Sequence, residues 1–413
     1  MDRRRQFDDW NITYQAEEVE SEKEGTNSAF TFLCVLLLLT GFGLIMLYSA
    51  SYDEAIRHAL PHYYYVARQA MFAIAGLVVG LAIRFVPVRW FSALSVPMLL
   101  LSLMLMLLTL FSPLGSTVLG ARRWLRFGPL SLQPVEVVKF SVVLFLAFWF
   151  RDEKRKGINR FLVPVLVMLG FSALIILQRD FSSTVVFIGL CLAMFVAGGI
   201  GFGHLALLIA SLAVPTAVIM LSAPYRVRRI ASFLMPGLDD ASMNYQVSTA
   251  LKAIKAGGFF GVGLGKGTYK LGLLPEVQND FIFANMCEET GFVWVMFLMA
   301  MFVIFAILGY KTYQRAKRQD LFLSYLAFGY TTMIVWQAVI NIAVVVGLLP
   351  PTGIPLPFFS QGGTNLFVVL VSSSLIYRVM LICSGRIPLE KSNLSKDERR
   401  LVEFPASGEE PRS

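Results

Sequence analysis

Charge is scarce in this chain. Asp, Glu, Lys and Arg make up 15% of its 413 residues, against roughly 25% in soluble domains, while hydrophobic residues reach 56%. That balance excludes the two or three water-soluble domains that the length alone would allow. Histidine is scarcer still: His58, His62 and His204 are the only three, too scattered for a metal cluster. Four cysteines (Cys34, Cys191, Cys287, Cys383) lie in or at the end of apolar runs. They have no metal spacing and no outward pairing, so they read as small core residues. A nucleotide loop is missing too. The run GVGLGKG at 261–267 has Gly, not Ser or Thr, after its Lys and fits no dinucleotide fingerprint. Its glycines read as a tight, partly buried loop.

What the chain has in abundance is long apolar runs, with a mean hydropathy of +0.65. Stretches able to span a ~30 Å hydrocarbon core fall at 28–50, 63–85, 90–111, 135–150, 159–178, 182–200, 204–222, 281–309, 322–347 and 364–384. The first is too long for a signal-peptide core and stays as a membrane helix. Short loops rich in Lys and Arg stay cytoplasmic. Arg151, Lys154, Arg155, Lys156 and Arg160 follow the fourth run, and Lys311, Arg315, Lys317 and Arg318 follow the eighth. The expected fold is an all-α integral membrane protein of about ten helices, both termini cytoplasmic, with a large extracytoplasmic loop between helices 7 and 8. Residues 1–27 form a cytoplasmic N-terminal extension, 28–384 the membrane domain, and 385–413 a disordered cytoplasmic tail.

The loops expected outside break the charge rule. Segment 112–134 carries Arg122, Arg123 and Arg126 and no acid. Segment 223–279 carries Arg226, Arg228, Arg229, Lys252, Lys255, Lys266 and Lys270 against Asp239, Asp240 and Glu276. Arginine forks suit phosphate and pyrophosphate, which they bind bidentately; contact with ordinary anionic headgroups is the alternative. Trp124, an interfacial anchor type, adjoins the arginine pair, so an amphiphilic substrate with an anionic head fits this surface.

Ionisable residues in or beside apolar segments are costly and point to function. Asp280 stands out, since it closes a polar stretch just where the eighth run begins. At such a rim a carboxylate reaches water and substrate together, and it reads as a general base. Glu288, two turns on and on roughly the same face, reads as structural; Glu289 points elsewhere. In QPVEVVK, Gln133 precedes Pro134, which suits a helix's first turn. Glu136 and Lys139 share a face, as a structural salt bridge or as part of a site. Arg68 and Asp180 could join the same polar cluster, and Asp180 could equally be a solvated turn residue. The segment 347–365, with Pro350, Pro351, Pro355 and Pro357 before Gly362 and Gly363, reads as a plug or lid, or as a re-entrant structural loop.

Five ordered blocks carry a resemblance: GARRWLRFGPLSLQPVEVVK (120–139), PYRVRRIASFLMP (224–236), LKAIKAGGFFGVGLGKG (251–267), LPEVQNDFIFANMCEETG (274–291) and GIPLPFFSQGGTN (353–365). Together they resemble the shape, elongation, division and sporulation (SEDS) family, the FtsW/RodA polymerases of bacterial cell-wall synthesis, over nearly all of 28–384. The resemblance implies a glycosyltransferase that polymerises lipid II on the outer face of the cytoplasmic (inner) membrane. It maps the family's essential aspartate onto Asp280, its Glu and Lys onto Glu136 and Lys139, and its basic pair onto Arg122 and Arg123. The GARRW and LPEVQNDFIFA forms lean towards the division type, at the septum, rather than the elongation type. Three blocks depart from the family pattern: QRDFSST for QPDLGT, SQGGTN for SYGGSS and QPVE for QPSE. Arg179 stands where proline is usual, which bears on the link before helix six and on Asp180.

The implied reaction is attack by an acceptor sugar 4-hydroxyl on the anomeric carbon of an undecaprenyl-pyrophosphate-linked donor. A positioned carboxylate must take the proton, and Arg122, Arg123 or a divalent cation (Mg or Mn) would stabilise the leaving pyrophosphate. The implied partners are a class B penicillin-binding transpeptidase and other divisome or elongation proteins; no nucleic acid is expected. The rival from another class is a lipid-precursor flippase, which Glu288 would serve. A scaffold that only recruits partners is the third reading.

Overall fold

The computed structural model describes residues 2–118, 120–128, 130–155, 157–221 and 241–388. The basic cluster Arg226, Arg228 and Arg229, with Lys156, Asp239, Asp240 and the tail from 389, lies outside the described residues. The chain builds α1 (Asp2–Arg57), α2 (Tyr64–Ile83), α3 (Val88–Phe111), β1 (Gly115–Val118), β2 (Ala121–Phe127), β3 (Leu130–Leu132), α4 (Pro134–Phe150), α5 (Ile158–Leu177), α6 (Phe181–Ala197) and α7 (Phe202–Leu221). After the undescribed stretch come α8 (Ala241–Gly257), α9 (Ile282–Ala316), α10 (Leu321–Val345) and α11 (Gly363–Cys383).

Each of the ten apolar runs forms a helix. Among the described residues, seven helices are long and apolar enough to cross a membrane, the first of these spans running Asn27–Arg57; α4, α6 and α7 occupy the other three runs. The helix of the first run extends back through the polar N-terminal segment to Asp2. Local chemistry sets the helix starts. Pro134 occupies the first turn of α4 with Glu136 beside it, where a missing N–H costs nothing and an acid favours the helix dipole. Asp180 caps α6 by accepting from the Ser183 N–H, and Asp320 caps α10 by accepting from the Leu323 N–H.

The expectation of an all-helical chain needs one correction. Segment 115–132 is a three-stranded antiparallel meander, in the order β1-β2-β3. The helix-oriented reading passed over it because three short strands make no apolar run; alternation along Ala-Arg-Arg-Trp-Leu buries Ala121 and Leu125 on one face.

α2 lies along α11, and α9 packs on α8 and α10. Small residues permit the first approach: Gly76 and Gly80 share one face of α2, and a β-carbon on Gly76 would come 3.0 Å from Leu370 Cβ. α9 is broken at Gly291, whose φ 74, ψ −179 only glycine adopts readily. The loop after α8 is spliced into the break. Val262 and Gly263 N–H donate to the Glu288 and Glu289 carbonyls (both 3.0 Å), and Phe292 and Val293 N–H donate to Gly258 and Phe259 (3.0 and 3.2 Å). From Gly291 to Lys311 the helix spans about 30 Å at 1.5 Å per residue, the thickness of a hydrocarbon core. The half-helix Ile282–Thr290 and Asp280 before it therefore precede a stretch long enough by itself to span such a core.

Candidate active site

The site gathers at the end of the bundle where α2, α4, α9 and α11 begin and α10 finishes. Neighbouring residues on a strand point to opposite faces, and β2 uses this to send its two arginines apart. Arg122 donates through Nη2 to the Ser112 carbonyl (2.6 Å), while its backbone N–H donates to Gln178 O (3.1 Å). Arg123 Nη1 lies 3.6 Å from Asp180 Oδ2. Asp180 is 3% exposed, so it is a buried helix cap and ion-pair partner rather than a solvated turn residue. Arg179 before it takes φ 62, a conformation closed to the proline ring; the Arg-for-Pro departure coincides with a link that proline could not make.

Asp280 occupies the turn just before α9 and is half-buried. It therefore precedes the helix that carries Glu288, and the expected shared helical face does not apply. Its carbonyl accepts from Asn341 Nδ2 at 2.8 Å. A β-carbon on Gly353 would lie 3.7 Å from Arg123 Nη1 and 3.8 Å from Asp280 Oδ2. The guanidinium and the carboxylate thus flank the same glycine. The segment bearing Gly353 is held by amides. Gln69 of α2 donates to Ser360 O (3.0 Å) and accepts from Gly362 N–H (3.1 Å). Gln337 donates to Pro355 O (2.9 Å), and Gln361 N–H donates to Gln278 O (2.8 Å).

Glu136 and Lys139 pair at 2.8 Å and are nearly wholly buried. Asn365 donates to the free Glu136 oxygen (2.9 Å), and Lys139 donates to Gln337 Oε1 (2.6 Å). Their polar atoms face protein, so they reach Gly353 and Asp280 through Gln337 and the loop rather than by pointing into an open space. Gln133, at the start of α4, donates its N–H to Thr364 Oγ1 (3.2 Å), and Arg68 donates to Ser131 Oγ (2.9 Å). These two tie α4 to α11 and α2 to β3.

Glu288 and Glu289 form a separate cluster, each 1% exposed. Glu288 accepts from the Thr268 N–H (2.6 Å), the Thr268 hydroxyl (3.0 Å) and the Tyr269 N–H (3.3 Å). Glu289 pairs with Lys270 (2.6 Å) and accepts from Ser49 of α1 and the Gly265 N–H. The glycine-rich run wraps a pair of buried carboxylates.

The structure therefore brings Arg123 and Asp280 together at Gly353, with Asp180 paired to Arg123. It places Arg122, Arg68, Gln133 and the Glu136–Lys139 pair in the supporting framework, and sets Glu288 apart. Sequence reasoning missed Gln69, Gln337 and Asn341, and named Lys270 only as one of the basic loop residues, without its partner Glu289. Gln337 and Asn341 did carry a signal: two amides four residues apart share a helix face, and amides within an apolar helix seek partners. Among the described residues, no group of three His, Cys, Asp or Glu side chains is placed to hold a metal ion.

Residues 29–382 match the family model for the FtsW, RodA and SpoVE cell cycle proteins. Relatives named "Probable peptidoglycan glycosyltransferase FtsW" include one from Borreliella burgdorferi, 34% identical over 84% of this chain and 95% of that one. Another, from Pseudomonas fluorescens, is 31% identical over 93% and 95%. A chain from a solved peptidoglycan synthase complex, described as coordinating polymerization and crosslinking, superimposes with a TM-score of 0.71 at 26% identity, covering 87% of this chain and 98% of that one. The crystal structure of Thermus thermophilus RodA, a rod shape determining protein, gives 0.61 at 25% identity over 85% and 96%. On this match over most of its length, the chain belongs to the FtsW/RodA/SpoVE cell cycle protein family.

Proposed function

We propose that this peptidoglycan glycosyltransferase polymerises lipid II at the outer face of the cytoplasmic membrane, in septal wall synthesis, with Asp280 as its general base. The observation that carries the assignment is the placement of Asp280. It is half-buried, just ahead of the half-helix that ends at the Gly291 break, and it shares Gly353 with Arg123. A carboxylate there can take the proton from an acceptor 4-hydroxyl as that oxygen attacks the anomeric carbon; an unaided hydroxyl is a poor nucleophile. Arg123, already countered by Asp180, faces the charge that develops on the departing pyrophosphate. Displacement in one step inverts an α-linked donor to a β-1,4 product.

An apolar groove of about 410 Å³ along α3 runs from Leu100 to Ser112, whose carbonyl Arg122 holds. A polyprenyl tail lying along that face would bring its anionic head towards Arg122. A divalent cation, if bound, would be held mainly by the substrate's pyrophosphate oxygens, as Mg²⁺ commonly is, and would neutralise leaving-group charge while Asp280 takes the acceptor proton. The flippase reading loses support from Glu288, which is enclosed by Thr268 and Tyr269. Both FtsW-named relatives and the synthase-complex neighbour support a class B penicillin-binding transpeptidase as partner.

The test is polymerisation of labelled lipid II by the purified chain with its transpeptidase, wild type against Asp280→Asn. Long glycan from wild type and a 10²- to 10⁴-fold loss in a folded mutant, about the worth of a general base, is the expected result. Equal activity sinks the base assignment. No polymer from either protein in an intact complex returns the flippase reading.

A further inference from the structure

One amide on α10 joins the two segments that frame the site. Asn341 is 1% exposed, and its Nδ2 donates to the Asp280 carbonyl at 2.8 Å and to the Ile354 carbonyl at 2.7 Å. Both acceptors are carbonyl oxygens, so the NH₂ end of the amide must face them. The other end, Oδ1, is buried with no hydrogen-bond partner. This residue meets two carbonyls at the expense of its own acceptor.

The geometry links that double contact to the chemistry. Holding the Asp280 carbonyl fixes the peptide plane between Asp280 and Phe281, and with it the direction in which the Asp280 side chain leaves the backbone. Holding Ile354 O fixes the residue next to Gly353, the glycine flanked by Arg123 Nη1 and Asp280 Oδ2. One turn earlier on the same helix, Gln337 holds Pro355 O. α10 is buried along this face, so it acts as a rigid rail on which both segments hang.

We propose that Asn341 is a positioning residue for glycosyl transfer, setting the Asp280 carboxylate against Arg123 by bonding the backbone on both sides of the gap. This rests on Asp280 being the general base. Only a side chain with two hydrogens on one atom serves both carbonyls at this reach. Alanine serves neither, and serine serves one. Reacting groups lose about 10²-fold in rate for a displacement near 1 Å, so the effect belongs in turnover and not in substrate capture.

The experiment uses the full chain in complex with its transpeptidase, with lipid II as substrate. Wild type, Asn341→Ala, Asn341→Ser and Asp280→Asn are compared for kcat, KM and thermal midpoint. The expected result is a roughly 10²-fold fall in kcat for Asn341→Ala and a smaller fall for Asn341→Ser. KM stays within about threefold, with a cooperative melt for both. Unchanged kcat in the Asn341 variants beside an inactive Asp280→Asn overturns the positioning role and leaves the base standing. A kcat loss that tracks a falling melting midpoint and a rising KM, or failure of both Asn341 variants to fold, makes Asn341 a structural residue and also overturns it. Full activity in Asp280→Asn removes the base reading itself, a failure visible without any Asn341 variant.

Discussion

Two groups of acids sit on either side of the start of α9, and they are built differently. Glu288 and Glu289 are sealed: backbone N–H groups, two hydroxyls and the Lys270 ammonium meet their oxygens, and each residue is 1% exposed. Asp280 is half-buried beside a glycine, facing Arg123, whose Nε is buried with no hydrogen-bond partner. A buried charge is tolerable when every lone pair is answered, and a group so answered has nothing left for a substrate. The sealed cluster joins α1, the glycine loop and α9; Asp280 stays half-buried beside Gly353 and Arg123. Equal expense in a membrane protein does not mean equal function.

That contrast can be broken by experiment. The largest expected effect on stability comes from Lys270→Met, which strands Glu289 without its cation and should cost about 3–5 kcal/mol. A thermal melt in detergent reads it, and turnover per folded molecule should hold within a few-fold. If activity falls and the melt does not move, the sealed cluster takes part in the chemistry and the contrast fails. Arg123→Gln should do the opposite. Polymerisation should drop roughly 10²- to 10³-fold, as for loss of one preorganised donor, with a smaller shift in the melt because Asp180 keeps its Ser183 N–H.

Gly291→Ala sharpens the comparison, since Gly291 stands between the two clusters and the membrane span. Its backbone conformation costs a residue with a side chain about 1–3 kcal/mol, and the new methyl would meet Phe260 and Gly261. Both melt and turnover should fall, because the half-helix after Asp280 hangs from that break. The smallest effect is expected at Asp152, exposed in the loop after α4. A hydrogen bond from Arg155, then one from the Lys154 N–H, holds its carboxyl below the ordinary range. What it adds to stability is present above the usual aspartate pKa and lost as pH falls through the depressed value. Asp152→Asn should leave the neutral-pH melt unchanged within error; a measurable shift would mean that this loop is packed more tightly than its exposure indicates.

The sequence singled out Asp280, because an ionisable residue beside a 29-residue apolar run is conspicuous by cost alone. It could not rank Arg122 against Arg123. Adjacent residues look alike in a string, and only the pleat of β2 sends one to Ser112 O and the other to Asp180. Nor could it find the partners of Lys270, since Ser49 and Glu289 lie 221 and 19 positions away. Glu136 and Lys139 were readable as a pair from their spacing, but their enclosure by Asn365 and Gln337 was not.

Composition and the length of the apolar runs determined the membrane class and the helices. Burying about 20 apolar residues at a time in lipid leaves the backbone no choice but to satisfy itself as helix. The tertiary structure alone decided which polar groups are spent on one another and which remain available. That depends on contacts between segments hundreds of residues apart, such as Gln69 with Ser360, and no local periodicity records them.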